Sequence, residues 1–270
     1  MSKKIGVLGC GWLGLPLAEY LLKFGHRVSG STTSESKISV LNSKKITPYL
    51  LEVSKDGIDG DLSFFDELDL VIIAIPPGLR SNPKKRFDLM IEHCKQACIN
   101  HNIKEVVFIS STSVYGNQSG VLTEESPLLP ESISGKQLVS CENLLINTPE
   151  FNTTILRMGG LIGADRHPVF QLSKKTFVDN PNGSVNLIHL TDCIQIISSL
   201  INRKIVNNVY NCVTPYHPSR KKYYNQMADQ LGCKPPVFSG INTIDRQFSS
   251  DKFTKDFAYH FKVQNLLILS

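Results

Sequence analysis

Apolar and polar positions alternate between two rhythms along the chain. Residues 5–8 form a short, continuously apolar run, the pattern of a strand buried on both faces. After Gly9-Cys10-Gly11-Trp12-Leu13-Gly14, residues 15–24 repeat at helical spacing, and Gly25 ends that helix as its C′ residue. Strand, glycine turn and helix open a βαβ unit. Residues 26–31 predict the next strand and 47–53 a third. Residues 70–75 predict a fourth, aliphatic on both faces and therefore central in a parallel sheet, and Pro76-Pro77-Gly78 stops it abruptly. A helix over 83–100 carries Phe87, Met90, Ile91, Cys94, Ala97 and Cys98 on one stripe and leads into a strand at 106–109. Strands at 153–157, 185–189 and 209–212 follow, with helices near 138–146 and 192–201. Strands and helices alternating at this rhythm predict an α/β fold, a Rossmann-type doubly wound parallel sheet.

After Cys212 the texture changes. Pro215 and Pro218 lead into a helix reaching about residue 231, Gly232 stops it, and Lys234-Pro235-Pro236 opens an irregular tail. Together with the insertion at 159–182, this tail predicts a small C-terminal α+β substrate lobe. Such a lobe would wall a cleft at the carboxyl ends of the strands, where open α/β sheets bind ligands. The division expected is 1–158 plus 184–212 for the sheet domain and 159–183 plus 213–270 for the lobe.

The longest aliphatic run, 70–75, falls far short of the roughly 18 residues of a membrane span, so no membrane partner is expected. Lys and Arg number 29 against 24 Asp and Glu, a net charge of +5, and the runs Lys84-Lys85-Arg86 and Arg220-Lys221-Lys222 are short. They read as solvated helix faces, and without a recognisable module no nucleic acid is expected. Seven scattered cysteines, an odd number, fit reduced thiols and a cytoplasmic location. Cys94 and Cys98, near His93 and His101, read as small buried side chains on one helical face. No second pair follows at ligand spacing, so no metal is expected. Lys3, Lys4 and the apolar stretch before Cys10 imitate a lipoprotein signal, but that stretch is shorter than the roughly 7 to 15 residues of a signal core.

The glycine turn matches GxGxxG in its required place between strand and helix. Gly9 permits the tight turn, Gly11 lets a pyrophosphate approach the backbone, and Gly14 lets helix and strand pack closely, while the helix N-terminus offers amide donors. Trp12 and Leu13 complete the cofactor loop, Trp12 most simply as packing beside it. An NAD site usually places an acid at the end of the second strand. Here the chain reads Ser29-Gly30-Ser31-Thr32-Thr33-Ser34 with no acid before Glu35 and with Lys37 in reach, so Ser31, Thr32 and Thr33 suit a 2′-phosphate and NADP(H) is preferred over NAD(H). Pro76 and Pro77 either line the ribose or simply terminate their strand.

The strand at 106–109 runs into Ser110-Ser111-Thr112-Ser113-Val114-Tyr115-Gly116. Here the sequence resembles the extended short-chain dehydrogenase/reductase family, the group of NAD-dependent nucleotide-sugar epimerases and dehydratases. The resemblance continues through Thr123-Glu124-Glu125-Ser126-Pro127 and Pro130, then Leu156-Arg157-Met158-Gly159-Gly160-Leu161-Ile162-Gly163, Leu187-Ile188-His189-Leu190-Thr191-Asp192 and Val209-Tyr210-Asn211. It implies that Ser111 is the catalytic hydroxyl that bonds the reacting oxygen, with Thr112 and Ser113 beside it toward substrate. It also implies a Tyr-x-x-x-Lys pair, in which the Lys lowers a phenol pKa that starts near about 10. No Tyr in this chain has Lys four residues later. One register puts Ser134 and Leu138 at those positions, another Ser132 and Lys136, and neither supplies a phenol.

Three readings stay open. The proton donor is another group, Tyr115 or a lobe residue such as His167; the substrate supplies its own acid or needs no oxygen protonation; or the chain binds the nucleotide without catalysis, as a sensor or partner protein. His189 and Asp192 read as a strand-end His and an N-cap Asp, and Arg157 as a buried structural cation. Arg166 and His167 lie in the insertion expected over the cleft, where Arg166 either meets a substrate phosphate or is merely exposed. The function expected is an atypical NAD(P)-dependent oxidoreductase or epimerase acting on a small polar or nucleotide-linked substrate. Relatives pair through two helices, at 86–100 and 138–146 here, so monomer and homodimer both remain open.

Overall fold

In chain order, the elements that carry the architecture are β1 (Lys4–Leu8), α1 (Gly14–Lys23), β2 (Arg27–Thr32), α2 (Ile38–Ser43), β3 (Thr47–Val53), β4 (Ile58–Gly60), β5 (Leu70–Ile73), α3 (Phe87–Asn100), β6 (Glu105–Ser111), β7 (Gly120–Leu122), α4 (Ile133–Ile146) and β8 (Asn152–Met158). They continue as β9 (Gly160–Ile162), α5 (Val169–Leu172), β10 (Leu187–His189), α6 (Leu190–Ile201), β11 (Asn208–Cys212), α7 (Arg220–Gln230), β12 (Arg246–Phe248) and α8 (Asp251–Phe257). The computed structural model describes residues 2–79, 81–163, 165–203 and 205–268.

Among the described residues the main sheet has eight strands in the order β11-β8-β6-β5-β1-β2-β3-β4. The pairings β3–β2, β2–β1, β1–β5 and β5–β6 are parallel, and β4 adds an antiparallel edge to β3. From β1 the chain winds outward through β2 and β3, then returns to place β5 on the other side of β1. That reversal is the topological switch point of a doubly wound sheet, so the turns leaving β1 and β5 stand where ligands of such sheets bind. The continuous apolar runs account for this placement, since every residue of β5 is buried and so are Ile5 and Val7 of β1.

The chain forms two compact units. The first comprises 1–114, 130–156 and 197–209, and the second 115–129, 157–196 and 210–270. Residues 115–129 and 184–196, expected with the sheet domain, therefore count with the second unit. The strand expected at 185–189 is also corrected. It is the short β10, which pairs in parallel with β9 in a sheet of its own rather than joining the main one.

In the first unit α3 starts at Phe87, later than the expected 83, because the preceding residues bond as a turn. Lys84 N–H donates to Asn82 Oδ1, and Lys85 N–H to the Asn82 carbonyl. The helix start is then capped from α4: Gln137 Oε1 accepts from Phe87 N–H at 2.7 Å, and Gln137 Nε2 donates to the Lys85 carbonyl at 3.0 Å. In the second unit the tail is more regular than expected. β12 pairs in parallel with β7, and α8 follows. Buried Ile162, Val169, Leu187, Tyr223 and Met227 form the core of this unit with Leu266 of the tail.

Candidate dinucleotide site and strand-end hydroxyls

The turn after β1 is built as the glycine pattern requires. Gly9 has φ of +102°, and a side chain there would meet Ile75, just beyond β5. A Cβ on Gly14 would lie 2.1 Å from the Gly9 carbonyl oxygen, so only glycine lets α1 start this close to the turn. A Cβ on Gly11 would meet nothing within 4 Å. The backbone at Gly11 thus borders open space, and a side chain there would fill it. α1 has no side-chain cap among the described residues; Leu15 N–H bonds back to the Gly11 carbonyl and Pro16 has no N–H, so the donors left for a ligand at this helix start are the amides of Leu13 and Gly14. Leu13, at the N-cap, is buried and offers only backbone, whereas Trp12 is half-buried.

Ser31 departs from its expected part. It is 2% exposed, its Oγ accepts from Gly9 N–H at 2.8 Å, and its carbonyl accepts from Cys10 N–H at 2.8 Å. It therefore clamps the glycine turn to the end of β2 instead of facing a ribose. Thr32 is also buried, and its Oγ1 accepts from Ser34 N–H. Thr33 is exposed, as is Lys37, whose positive charge is felt at the Cys10 thiol. Burial outweighs that charge and pushes the Cys10 pKa up to about 12. Pro76 is exposed and Pro77 half-buried, both beyond the last residue of β5.

Ser111 ends β6. It is half-buried, and its Oγ accepts from Ser113 N–H at 3.2 Å, an arrangement that leaves its own proton without an acceptor among the described residues. Thr112 is buried, so of the three hydroxyls only Ser111 and Ser113 reach solvent. The first turn of α4 packs beside them, since a Cβ on Gly135 would come within 2.7 Å of the Ser113 carbonyl. Deeper on the same helix, buried Glu142 accepts from Ser110 Oγ at 2.5 Å. Neither register of the missing pair recovers an acid. Ser132 is the N-cap of α4 and accepts from Gly135 N–H, Lys136 is exposed, and Leu138 is 2% exposed in the core.

Tyr115 is corrected from proton donor to structural residue. It is fully buried, its hydroxyl donates to Asn211 Oδ1 at 2.8 Å and accepts from Arg157 Nη1 at 2.8 Å, and the Arg157 guanidinium lies 5.0 Å from its ring centre. Burial raises its pKa despite the cation. Glu124 Oε1 adds a bond to Asn211 N–H at 2.7 Å. Asp192 is likewise not an N-cap. Its buried carboxylate accepts from Tyr259 Oη and from the amides of Lys262 and Val263, tying down the tail. Arg166 is exposed, and its backbone forms a paired bridge with Gly163. His167 has both ring nitrogens engaged: Nδ1 accepts from Val169 N–H, and Nε2 lies 2.8 Å from Tyr223 Oη. Burial lowers its pKa to about 4.

A doubly wound sheet with GxGxxG at its switch point and hydroxyls at the end of β6 defines a Rossmann-type fold. No family model matches the chain. It is 37% identical over 246 residues to Protein YeeZ of Escherichia coli (strain K12), spanning 90% of this chain and 88% of that protein. It is 26% identical over 230 residues to the uncharacterized UDP-glucose epimerase YtcB of Bacillus subtilis (strain 168), spanning 74% and 73%. Its fold is similar to that of UDP-glucuronic acid 4-epimerase from Bacillus cereus, solved in complex with UDP-glucuronic acid and NAD, with a TM-score of 0.80, 19% identity and coverage of 98% and 95%. The chain belongs to the family of Protein YeeZ, and its fold is the one shared by NAD-dependent epimerase/dehydratase-like structures. No helix among the described residues is long and apolar enough to cross a membrane.

Proposed function

We propose that the chain binds a nicotinamide dinucleotide, NADP(H) in preference to NAD(H), and acts as an oxidoreductase or epimerase without the Tyr-x-x-x-Lys pair. The observation that carries this reading is the empty space over Gly11, bordered by a turn that Ser31 clamps and by the uncapped start of α1. The turn shaped by Gly9, Gly11 and Gly14, with the amides of Leu13 and Gly14, would hold the pyrophosphate, and Thr33 and Lys37 would meet a 2′-phosphate. When bound, the cofactor supplies hydride exchange. Ser111 then donates its unclaimed proton as a hydrogen bond to the substrate oxygen. With Tyr115 sealed in the core and both nitrogens of His167 engaged, a small polar or nucleotide-linked substrate that brings its own acid, or needs none, suits the site best.

Titration of NADPH and of NADH, followed by nicotinamide fluorescence, tests the cofactor assignment. Tighter binding of NADPH, lost in Gly11→Val, is expected. If neither dinucleotide binds at millimolar concentration, the glycine turn is purely structural. The missing phenol favours a second reading, a non-catalytic nucleotide sensor. Hydride turnover on a substrate panel that Ser111→Ala reduces would exclude that reading, whereas turnover indifferent to the change removes the role given to Ser111.

A further inference from the structure

In the second unit, Ile162 and Gly163, His167 and His189, Tyr223, Met227 and Leu231 of α7 and its flank, and the tail from Val263 to Ile268 surround a pocket of about 450 Å³, counting the space open to solvent. Its walls are aliphatic, and no charged side chain lines it among the described residues. The polar groups can be followed proton by proton. Nδ1 of His167 accepts from Val169 N–H, so the ring is neutral with its proton on Nε2, and that proton is donated to Tyr223 Oη at 2.8 Å. The Tyr223 hydroxyl, already an acceptor, therefore has its own proton to donate. Tyr223 is fully buried, and no acceptor for that proton stands among the described residues. His189 repeats the pattern. Its Nδ1 accepts from Thr191 N–H at 3.2 Å, which puts the proton on Nε2, again without an acceptor among the described residues.

An apolar pocket that presents two neutral donors and no compensating charge selects its ligand by chemistry. A buried donor without a partner carries a desolvation cost that an incoming acceptor removes. A carboxylate or phosphate would lose its hydration with no cation to replace it. A purely aliphatic group would leave both donors unmet. We infer that this pocket is a binding site for an uncharged, largely apolar group bearing a carbonyl oxygen, such as an acyl or aryl ketone, with Tyr223 Oη and His189 Nε2 donating to that oxygen. The assignment stands on the second unit alone and does not rest on the dinucleotide reading.

Met227 supplies a reporter, because it lines the pocket while Met90 belongs to α3 and Met158 to β8. The full chain, labelled with ¹³C at the methionine methyls, is titrated with acetophenone as the probe, with ethylbenzene as the analogue lacking the oxygen and benzoate as the charged one. Met227→Leu assigns the reporter signal. Acetophenone is expected to shift the Met227 methyl saturably while Met90 and Met158 stay in place. The Tyr223→Phe variant should bind acetophenone about tenfold more weakly, the loss of one buried hydrogen bond, ethylbenzene, which forfeits both, should bind the native chain about a hundredfold more weakly, and benzoate should leave the signal unmoved. The site is overturned if acetophenone up to its solubility limit leaves Met227 unshifted, the result for a pocket that holds water only. It is equally overturned if ethylbenzene binds as well as acetophenone. That comparison needs no variant, so it decides even if Tyr223→Phe disturbs the other methionine signals.

Discussion

A methyl group added at Gly14 would come within 2.1 Å of the Gly9 carbonyl oxygen, whereas one added at Gly11 has nothing within 4 Å to strike. The two changes should therefore separate folding from binding. Gly14→Ala forces backbone to move and is expected to cost about 1–3 kcal/mol, the usual range for overpacking. Gly11→Val is expected to keep the denaturation midpoint and lose the dinucleotide. Urea unfolding checks the first effect and fluorescence titration the second; a Gly11→Val protein that still binds would mean the open space is not the phosphate site. Tyr115 calls for the opposite pattern. In Tyr115→Phe the buried Arg157 and Asn211 lose their shared partner, at an expected cost of about 1–3 kcal/mol. Dinucleotide affinity should not change, and unaltered stability would contradict the structural role. Sequence alone offered Tyr115, the tyrosine of the same strand-end motif as Ser111, as one candidate acid beside His167, but it could not show that Arg157 and Asn211, 42 and 96 residues further on, enclose that phenol.

At the level of elements, what was legible is what local pattern dictates. β1, β5 and the glycine turn follow from short apolar runs and from backbone that only glycine allows, so their positions could be read directly. The start of α3 could not be read, because its cap comes from Gln137 on another helix, fifty residues away in sequence. Gln137→Leu keeps the volume and removes both bonds. It is expected to lower stability by about 1 kcal/mol, as a lost helix cap does, and to speed amide exchange at Phe87. Unchanged exchange there would show that the cap is idle. β12 stayed hidden for a related reason, and β10, expected as a strand over 185–189, hid only its pairing with β9 outside the main sheet. Each is three residues long, and β12 meets its partner β7 only across more than a hundred residues, so pairing rather than propensity makes it a strand. The hydroxyl-rich end of β6 was legible as a motif. Its division into Ser111 at the surface and Thr112 inside depends on how the turn is packed, which no spacing reveals.

Across the whole molecule four histidines give one common response to acid. His26, His167, His189 and His217 all have lowered pKa values, with burial the first cause in each. The folded chain thus holds these rings neutral at a pH where the unfolded chain, titrating near about 6.5, takes up protons. By linkage, their contribution is complete above about pH 6.5 and is lost as the pH falls toward the folded values, about 4 for His167. Carboxylates such as Asp88, held low by Arg86, join in only in more acid solution. Urea midpoints measured at steps from pH 7 to pH 5 should fall steadily, and His167→Gln, which cannot take up the proton, should fall less steeply. Protonation in the folded state has its own consequence in the pocket of the second unit: it would end the acceptance of His167 Nδ1 from Val169 N–H and rearrange the bond to Tyr223. Because the folded ring stays neutral until about pH 4, the Met227 methyl should stay still between pH 7 and 5 and move only as the pH approaches 4, a movement absent in His167→Gln. A flat stability profile between pH 7 and 5, or equal slopes for both proteins, would show that these rings are hydrated in the folded state and that burial does not set their charge.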